Sequence, residues 1–290
     1  MAHDFAKISL TARLAAYMRQ YSDIPYASDI ADLIRARAHF ETFLRGYRLN
    51  PEDLHFYAPI FEARYKSIDV MIRRTRASQV LELGAGLTPR GLTLSGDDAR
   101  IFYVETDLED LIGEKRALLA ALMRRHRLEP RNNLRNVAAN ALDRDQVLAA
   151  ANYFKAGQRL IVVHEGLLQY LSSSETEQVA HNIHELLGKF GGMWITPDFS
   201  LKSDAAELSE QQLHFRGIIA AATDRTLYNN AFDSMEHLRE YLRSLGFQVE
   251  VFNQLYLAPD VSSIARLRLP PELLDDLRPK MRLWSLTRLG

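Results

Sequence analysis

Short apolar runs alternate with amphipathic segments over most of this chain. From residue 79 onward the apolar runs have the length of buried strands, and they cover residues 80–83, 101–104, 160–163, 193–195, 247–251 and 281–286. Segments with the spacing of amphipathic helices separate most of these runs, over residues 108–126, 173–189 and 235–245. Strands that alternate with helices are typical of a parallel sheet covered on both faces. The last runs are less regularly spaced, which is compatible with a final antiparallel pair.

The chain between residue 5 and about residue 76 follows the helical period instead. Leu10, Leu14 and Tyr17 recur at helical spacing, and a further helix is predicted from about residue 59 to residue 74. No strand pattern interrupts this segment. The sequence therefore predicts a helical N-terminal cap with a lead-in helix over residues 1–76 and a doubly wound α/β core over residues 77–290.

The composition is that of an ordinary globular protein, and it excludes several kinds of site. The 290 residues are 47% hydrophobic and 25% charged, which is enough to bury a sizeable core. Cysteine is absent, which excludes disulfides, thiolate metal ligands and a cysteine nucleophile. The 36 basic and 37 acidic side chains nearly cancel, so no global field attracts nucleic acid.

Two features of the sequence bear on localisation. No apolar run approaches the roughly 20 residues that a membrane-spanning helix needs. The first residues lack the basic segment followed by an apolar one that marks a secretory signal. We therefore expect a cytoplasmic protein that acts neither on nucleic acid nor at a membrane.

The stretch from Val80 to Pro89 carries the clearest chemical signal. A buried strand leads into a Gly-x-Gly turn at Gly84 and Gly86, and a helix start follows. Glycine has no Cβ, so a ligand can approach the main chain closely at such a turn. Thr88 is expected to cap the helix, with Pro89 as the first helical residue. A tight strand-to-helix turn without a ligand is the structural alternative.

A carboxylate stands at the end of the next predicted strand. Asp107 lies 23 residues after Gly84, where a carboxylate can accept hydrogen bonds from both hydroxyls of a ribose. This spacing suits either NAD or S-adenosylmethionine. A dinucleotide site needs a third glycine, in the pattern G-x-G-x-x-G, and this chain has Pro89 at that position. The missing glycine favours S-adenosylmethionine.

Three motifs together resemble those of a known family. They are L-G-A-G-L at residues 83–87, V-E-T-D-L at residues 104–108 and E-G-L-L-Q-Y-L at residues 165–171. Over about residues 60–200 the sequence resembles the leucine carboxyl methyltransferases, a family that includes the tetracenomycin-type polyketide O-methyltransferases. The resemblance implies a class I, Rossmann-like methyltransferase with a seven-stranded, mostly parallel sheet, an antiparallel last strand and a helical cap. It also implies S-adenosylmethionine as cofactor and S-adenosylhomocysteine as product.

The resemblance further implies roles for individual residues. Arg64 corresponds to the arginine that holds the carboxylate of the cofactor, and Asp107 to the acid that binds its ribose hydroxyls. Glu165 corresponds to an acid that faces the ammonium or sulfonium region of the cofactor. The implied cofactor-binding set is Arg64, Gly84, Ala85, Gly86, Asp107, Leu108, Asn140, Ala141, Glu165 and Gly166.

Two short segments depart from the family pattern. Members commonly carry Asp-Thr-Arg after the glycine turn, whereas this chain has Thr88, Pro89 and Arg90. Where members usually carry an Asp-Leu pair that recognises adenine, this chain has Asn140 and Ala141. The side-chain carbonyl of an asparagine can still accept a hydrogen bond from the adenine amino group.

His164 and Tyr170, near the end of the strand predicted at residues 160–163, are the candidates for catalysis. Methyl transfer from a sulfonium is an in-line displacement, so the protein mainly has to position the acceptor. A carboxylate acceptor needs no general base, whereas a phenol or alcohol benefits from one. His164 could be such a base or a packed strand-end histidine. Tyr170 could orient an acceptor or be a core aromatic.

Three further polar residues are candidates for a role in the site. Asp198 is expected at the carboxyl edge of the sheet, where ligands bind in such folds, or as a cap of the next helix. His181 and His184 lie three residues apart on one predicted helix, but no third ligand follows at a recognisable spacing. No metal is therefore expected.

The sequence favours an S-adenosylmethionine-dependent O-methyltransferase. Its expected acceptor is a carboxylate or hydroxyl of a small, polyketide-like molecule. A protein C-terminal carboxyl methyltransferase, an NAD(P)-dependent oxidoreductase and a catalytically silent adenosine-binding protein remain as alternatives. The sequence leaves the oligomeric state open.

Overall fold

The computed structural model describes residues 9–206, 208–224 and 231–290. In these ranges the strands are β1 (Gln79–Glu82), β2 (Phe102–Asp107), β3 (Leu134–Ala138), β4 (Leu160–Val163), β5 (Gly192–Thr196), β6 (Phe247–Asn253) and β7 (Arg282–Arg288). The helices are α1 (Ser9–Arg19), α2 (Ala27–Leu33), α3 (Ala36–Arg45), α4 (Ala58–Thr75), α5 (Arg90–Asp97), α6 (Glu109–His126), α7 (Arg144–Ala150), α8 (Ser173–Phe190), α9 (Lys202–Ala206), α10 (Glu210–Thr223), α11 (Met235–Ser244), α12 (Gln254–Leu257), α13 (Ser262–Arg266) and α14 (Leu273–Leu277). Short 3₁₀ helices cover Pro51–Tyr57, Ala151–Tyr153 and Leu168–Tyr170. Among the described helices, none is both long and apolar enough to cross a membrane.

The strands form one open sheet in the order β3-β2-β1-β4-β5-β7-β6. Strands β1 to β5 pair in parallel, and β7 lies antiparallel between β5 and β6. The predicted fold class, a seven-stranded and mostly parallel sheet with an antiparallel last strand, is confirmed. The strand order reverses between β1 and β4, and ligands in such folds bind at the carboxyl ends of the strands beside this point.

Both faces of the sheet are covered, because side chains along each central strand alternate between them. In β4, Leu160 and Val162 belong to the apolar cluster that includes residues of α8, whereas Ile161 and Val163 pack with residues of α4. All four residues of β4 are buried, as expected for a parallel strand covered on both faces. The sheet is therefore a packed layer that fixes the positions of its strand ends.

The N-terminal helices share one apolar cluster with α6. Leu14 and Tyr17 of α1 pack with Phe40 of α3 and with Leu118 and Leu122 of α6. Helix α4 packs instead on the face of the sheet, next to β1 and β4. The predicted boundary near residue 76 falls between α4 and β1. The division into a cap and a core stays a prediction.

β3 is a strand that the hydrophobic pattern does not predict. Its five residues are all half-buried, and two of them, Arg135 and Asn136, are polar. It lies at the edge of the sheet, beside β2. An edge strand does not need the continuous apolar run that marks a central parallel strand. In the predicted N-terminal helical segment, residues 5–8 lie outside the described residues.

Candidate active site

A cavity of about 340 Å³ lies between α1 and the carboxyl ends of β1 to β4. The loops that follow these four strands form one wall, and α1 forms the other. The ten residues of the predicted cofactor set all line it: Arg64, Gly84, Ala85, Gly86, Asp107, Leu108, Asn140, Ala141, Glu165 and Gly166. Tyr170, which the sequence offers as a catalytic residue, lines it as well.

The glycine turn presents bare main chain to this cavity. Gly84 and Gly86 have φ angles of +59° and +50°, a backbone conformation that residues with a Cβ rarely adopt. A Cβ on Gly84 would lie 3.3 Å from the Leu167 side chain, and one on Gly86 would lie 3.6 Å from Ala12 of α1. The Ala85 amide between them donates to the Thr106 carbonyl at 2.9 Å. The turn is thus fixed between β2, α1 and the loop after β4.

Asp107, the last residue of β2, is held in one orientation by the main chain. Its Oδ2 accepts a hydrogen bond from the Gly86 amide at 2.7 Å, and its Oδ1 accepts one from the Leu108 amide at 2.8 Å. Burial raises the pKa of the Asp107 carboxyl, although these hydrogen bonds oppose the shift. Each carboxylate oxygen keeps a further acceptor position. The pair of oxygens can therefore accept from two vicinal hydroxyls.

A buried ion pair lies next to the glycine turn and contacts its main chain. Lys115 of α6 lies 2.8 Å from Glu105 of β2, and both side chains are fully buried. The ammonium also donates to the Ala85 carbonyl at 3.3 Å. Glu105 accepts in addition from the Gly91 amide at 3.2 Å and from Asn136 at 2.5 Å. Burial raises the pKa of Glu105, and the charge of Lys115 opposes that shift.

Glu165, directly after β4, is surrounded by three arginines. Its Oε1 accepts from Arg19 at 2.6 Å and lies 3.9 Å from Arg64, while its Oε2 accepts from Arg90 at 2.8 Å. Burial alone would raise the pKa of Glu165, but the charges of the arginines outweigh it and lower the pKa to about 2. Arg90 is fully buried and also contacts Glu82 and Asp69. Glu165 is therefore ionised and locked in place.

Asp198 is at the carboxyl edge of the sheet, as expected, but it holds a loop rather than a helix end. It accepts from the amides of Gly166 and Leu167 at 2.7 Å each and from that of Leu168 at 3.1 Å. Arg64 reaches its Oδ1 at 3.2 Å. Burial would raise the pKa of Asp198, but its hydrogen bonds and the charge of Arg64 lower it to about 2. Asp198 thus fixes both Arg64 and the loop after β4.

His164 is fully buried and is not among the residues that line the cavity. The Trp194 indole donates to its Nε2 at 2.9 Å, so this nitrogen is the acceptor and the ring proton is on Nδ1. Nδ1 lies 2.9 Å from Asp198 and 3.1 Å from Thr196. The ring therefore orients Asp198 and does not face the cavity where an acceptor would lie.

The hydroxyl of Thr88 and the Nε of Arg19, both on residues of the cavity wall, have no hydrogen-bond partner among the described residues. The prediction that Thr88 caps α5 is wrong, because Pro89 occupies the N-cap position and the helix end receives no side-chain hydrogen bond.

The sequence alone does not place Arg19 and the other α1 residues in the wall of the site. From α1 the cavity is lined by Thr11, Ala12, Leu14, Ala15 and Arg19. The helical period predicts α1, but no local spacing indicates that it lies against the loops after β1 to β4. Arg19 is the one charged residue among these five, and no pattern in the sequence marks it as part of a site.

The sequence profile of the leucine carboxyl methyltransferases matches residues 20–184, a span longer than half of the chain. The chain belongs to the leucine carboxyl methyltransferase family. The resemblance expected from the three motifs is confirmed, and with it the expected cofactor, S-adenosylmethionine. The profile begins one residue after α1 ends, so α1 lies outside the matched span.

Solved structures show the same fold at low sequence identity. A DUF574 family protein from Streptomyces avermitilis is 13% identical, with a TM-score of 0.58 and 97% of each chain covered. An O-methyltransferase family protein from Burkholderia thailandensis is 14% identical, with a TM-score of 0.50 and 92% of this chain covered. This chain spans 64% of the length of the Burkholderia protein. Among curated proteins, no sequence matches.

Proposed function

We propose that this protein is an O-methyltransferase that transfers a methyl group from S-adenosylmethionine to a small-molecule acceptor, with a carboxylate as the favoured acceptor group. The observation that carries the proposal is the convergence of the ten predicted cofactor residues, from five separate segments of the chain, on one cavity. The family assignment supports the transferred group and the donor. It leaves the acceptor to be identified.

Different residues of the cavity wall suit the adenine, the ribose and the amino-acid portion of the methyl donor. Asn140 and Ala141 would contact the adenine, and Asp107 would accept from the ribose hydroxyls. Arg19 and Arg64 place two guanidinium groups near the glycine turn, where a carboxylate can bind in a bidentate manner. The unpartnered Nε of Arg19 and hydroxyl of Thr88 are groups that a ligand would satisfy. The residues present therefore fit the cofactor.

The lining residues favour an acceptor that needs no general base. When bound, S-adenosylmethionine supplies a methyl group on a sulfonium, which is a strong electrophile. Neither histidine nor lysine occurs among the described residues that line the cavity. A carboxylate is already a nucleophile at neutral pH, so positioning and exclusion of water suffice. Tyr170 and Phe61 would hold the acceptor, and α1 would keep water out.

A hydroxyl acceptor is the second candidate, because Tyr170 and two further acids also line the cavity. Asp110 and Glu114 belong to α6 and are partly open to solvent. Either carboxylate could accept the proton of an alcohol or phenol. His164, which the sequence offers as the base, is proposed to act as a positioning residue for Asp198.

Calorimetry tests the cofactor half of the proposal. S-adenosylmethionine and S-adenosylhomocysteine should both bind, and NAD should give no heat. Asp107→Asn should weaken S-adenosylhomocysteine binding about tenfold to a hundredfold, because it removes the charge-assisted hydrogen bonds to the ribose. Asp145→Asn, at a side chain that is 89% exposed, is the matched control and should bind like the wild type. Binding of NAD alone would support an oxidoreductase instead.

Labelling tests the acceptor half. The protein is incubated with a cell extract and methyl-labelled S-adenosylmethionine, and the products are separated by size and identified by mass spectrometry. Label in small molecules that mild alkali releases as methanol identifies methyl esters and hence a carboxylate acceptor, whereas alkali-stable label identifies a hydroxyl. Label in the protein fraction would favour a protein carboxyl methyltransferase. Cofactor binding without transfer to any fraction would favour a silent adenosine-binding protein.

A further inference from the structure

The segment between β6 and β7 lies outside the cavity and yet contacts the chain that follows α1. This C-terminal helical segment, residues 254–281, carries the short helices α12, α13 and α14. The structure describes all of its residues, and none of them lines the cavity. Leu255 and Ile264 of the segment pack with Ala63 of α4. The segment is therefore fixed on the helix that carries Arg64, although it is not part of the site.

The main chain just after α1 is held by α13. The Asp23 amide donates to the Ser262 hydroxyl at 2.8 Å. The Ser22 carbonyl accepts from the Arg266 guanidinium. The Ser22 hydroxyl and amide in turn donate to the Arg19 carbonyl at 2.6 Å and 3.0 Å. The C-terminal helical segment thus fixes the chain directly after Arg19, the residue that α1 contributes to the cavity wall beside Glu165.

A buried carboxylate on α4 completes this contact. Glu62 is fully buried and accepts from the Ser262 amide at 2.8 Å, from the Ser262 hydroxyl at 2.9 Å and from the Ser263 amide at 2.8 Å. Lys66, one turn further along α4, lies 2.7 Å from Glu62 and 2.5 Å from Asp23. The acceptor positions of the Glu62 carboxylate are therefore filled by protein donors. The contact is a fixed connection between α4, α13 and the chain after α1, and it leaves no place for a ligand.

The side chain of Arg19 is held separately from its main chain. Its guanidinium donates to Glu165 at 2.6 Å and lies 5.6 Å from the centre of the Tyr65 ring, which belongs to α4. A long side chain keeps one orientation only when the backbone that carries it is also fixed, because small shifts of the backbone are passed on to its polar end. The contacts of α13 supply that fixed backbone.

We propose that the C-terminal helical segment anchors the end of α1, and that Arg266 and Ser262 are positioning residues that keep Arg19 in the cavity wall. This inference rests on the proposed function, in which Arg19 helps to hold the methyl donor. Arg266 and Ser262 act through the main chain of Ser22 and Asp23. An anchored main chain reduces the conformational freedom that the protein loses when the ligand binds, and it thereby raises the affinity.

Arg266→Ala tests the anchor, because Arg266 is an exposed residue and its loss should leave the fold intact. The affinity for S-adenosylhomocysteine is measured by calorimetry, and hydrogen exchange over residues 12–19 is measured in the free protein. We expect binding about threefold to tenfold weaker and clearly faster exchange in α1, because a charge-assisted hydrogen bond to the chain after α1 is lost. Arg266→Lys keeps a charged donor and should recover most of the affinity.

Two further variants separate the anchor from the loss of any arginine in the segment. Arg278→Ala is the matched control, because Arg278 pairs with Asp275 of the same segment and not with the chain after α1. It should leave both the affinity and the exchange in α1 unchanged. Ser262→Ala removes the hydroxyl that accepts from the Asp23 amide, and it should act like Arg266→Ala.

Arg19→Met distinguishes positioning of Arg19 from a general loosening of the protein. If Arg266 acts through Arg19, adding Arg266→Ala to Arg19→Met should weaken S-adenosylhomocysteine binding by less than about twofold. The same weakening as in the wild-type background would overturn the inference, and so would unchanged affinity and exchange in Arg266→Ala. If Arg19→Met does not fold, exchange in α1 and the recovery by Arg266→Lys decide. If the wild type does not bind S-adenosylhomocysteine, the proposed function fails, and exchange in α1 alone decides whether the segment anchors the helix.

Discussion

Glu165 accepts hydrogen bonds on both of its oxygens from arginines, and this limits what its carboxylate can do in the cavity. Arg19 occupies Oε1 and Arg90 occupies Oε2. A carboxylate has about four acceptor positions, so it can still accept from an ammonium group of the cofactor. Its first effect, however, is on its neighbours. It holds Arg19 at the cavity wall and keeps Arg64 within 3.9 Å.

Glu165→Gln should destabilise the protein by on the order of 3 kcal/mol at pH 7, because it leaves buried guanidinium groups without their shared counter-ion. The arginines lower the pKa of Glu165 from its usual 4.5 to about 2 against the opposing effect of burial. The stability that ionised Glu165 contributes is therefore present above about pH 4.5 and is lost as the pH falls toward 2. Urea unfolding between pH 7 and pH 3 measures both effects.

The difference in unfolding free energy between the wild type and Glu165→Gln should become smaller below about pH 4.5. Glu185→Gln is the control, because Glu185 pairs with Arg144 where both side chains are about half exposed. It should change the unfolding free energy by less than about 1 kcal/mol. A gap for Glu165→Gln that stays constant down to pH 3 would contradict the ionic account.

At the scale of elements, a strand can be predicted from the sequence when both of its faces are buried. β1 and β4 are buried throughout and therefore appear as apolar runs. β3 is half-buried at the sheet edge and has no such run. The glycine turn and Asp107 were predictable because each stands at the carboxyl end of a recognisable strand. Arg19 was not predictable, because only the tertiary fold brings α1 against the strand ends that form the site.

The contact between α6 and β2 shows a second limit of local patterns. Lys115 and Glu105 lie ten residues apart on different elements, and the sequence offers each as an ordinary charged residue. In the fold they form a fully buried pair below the glycine turn. Only the packing of α6 onto the sheet brings them together, so their role emerges from the structure.

Lys115→Met should destabilise the protein by about 3–5 kcal/mol, because it leaves Glu105 buried without its cation. Glu105→Gln should be similarly harmful, because the lysine then lacks its anion. The double variant buries neither charge, so its loss should be smaller than the sum of the single losses by at least about 1 kcal/mol. Chemical denaturation of the wild type, the two single variants and the double variant gives the four unfolding free energies of this double-mutant cycle. Strict additivity would mean that the two charges do not depend on each other.

At the scale of the whole molecule, the cavity exists because α1 lies over the strand ends. The ion pairs of Arg19 with Glu165 and of Arg13 with Glu114 join α1 to the rest of the chain. The first is buried, and the second is partly exposed, with side-chain exposures of 24% and 31%. A volume of about 340 Å³ is at the small end of ligand pockets, so a bound ligand would touch both walls.

Ligand binding should therefore slow hydrogen exchange in α1 as well as in the glycine turn. A ligand that bridges two elements stabilises the state in which they are docked and reduces local opening. Exchange measured by mass spectrometry with and without S-adenosylhomocysteine should show new protection over residues 12–19 and 84–88. The β6–β7 pair at the far edge of the sheet is the internal reference and should not change.

Glu114→Gln adds a test of how α1 is held. Loss of the partly exposed pair with Arg13 should speed exchange in α1 of the free protein only slightly, because such pairs contribute less than about 1 kcal/mol. S-adenosylhomocysteine should restore most of the protection, since the buried Arg19–Glu165 pair remains. Protection that appears in the glycine turn but not in α1 would mean that the ligand occupies the core side of the cavity without contacting the helix.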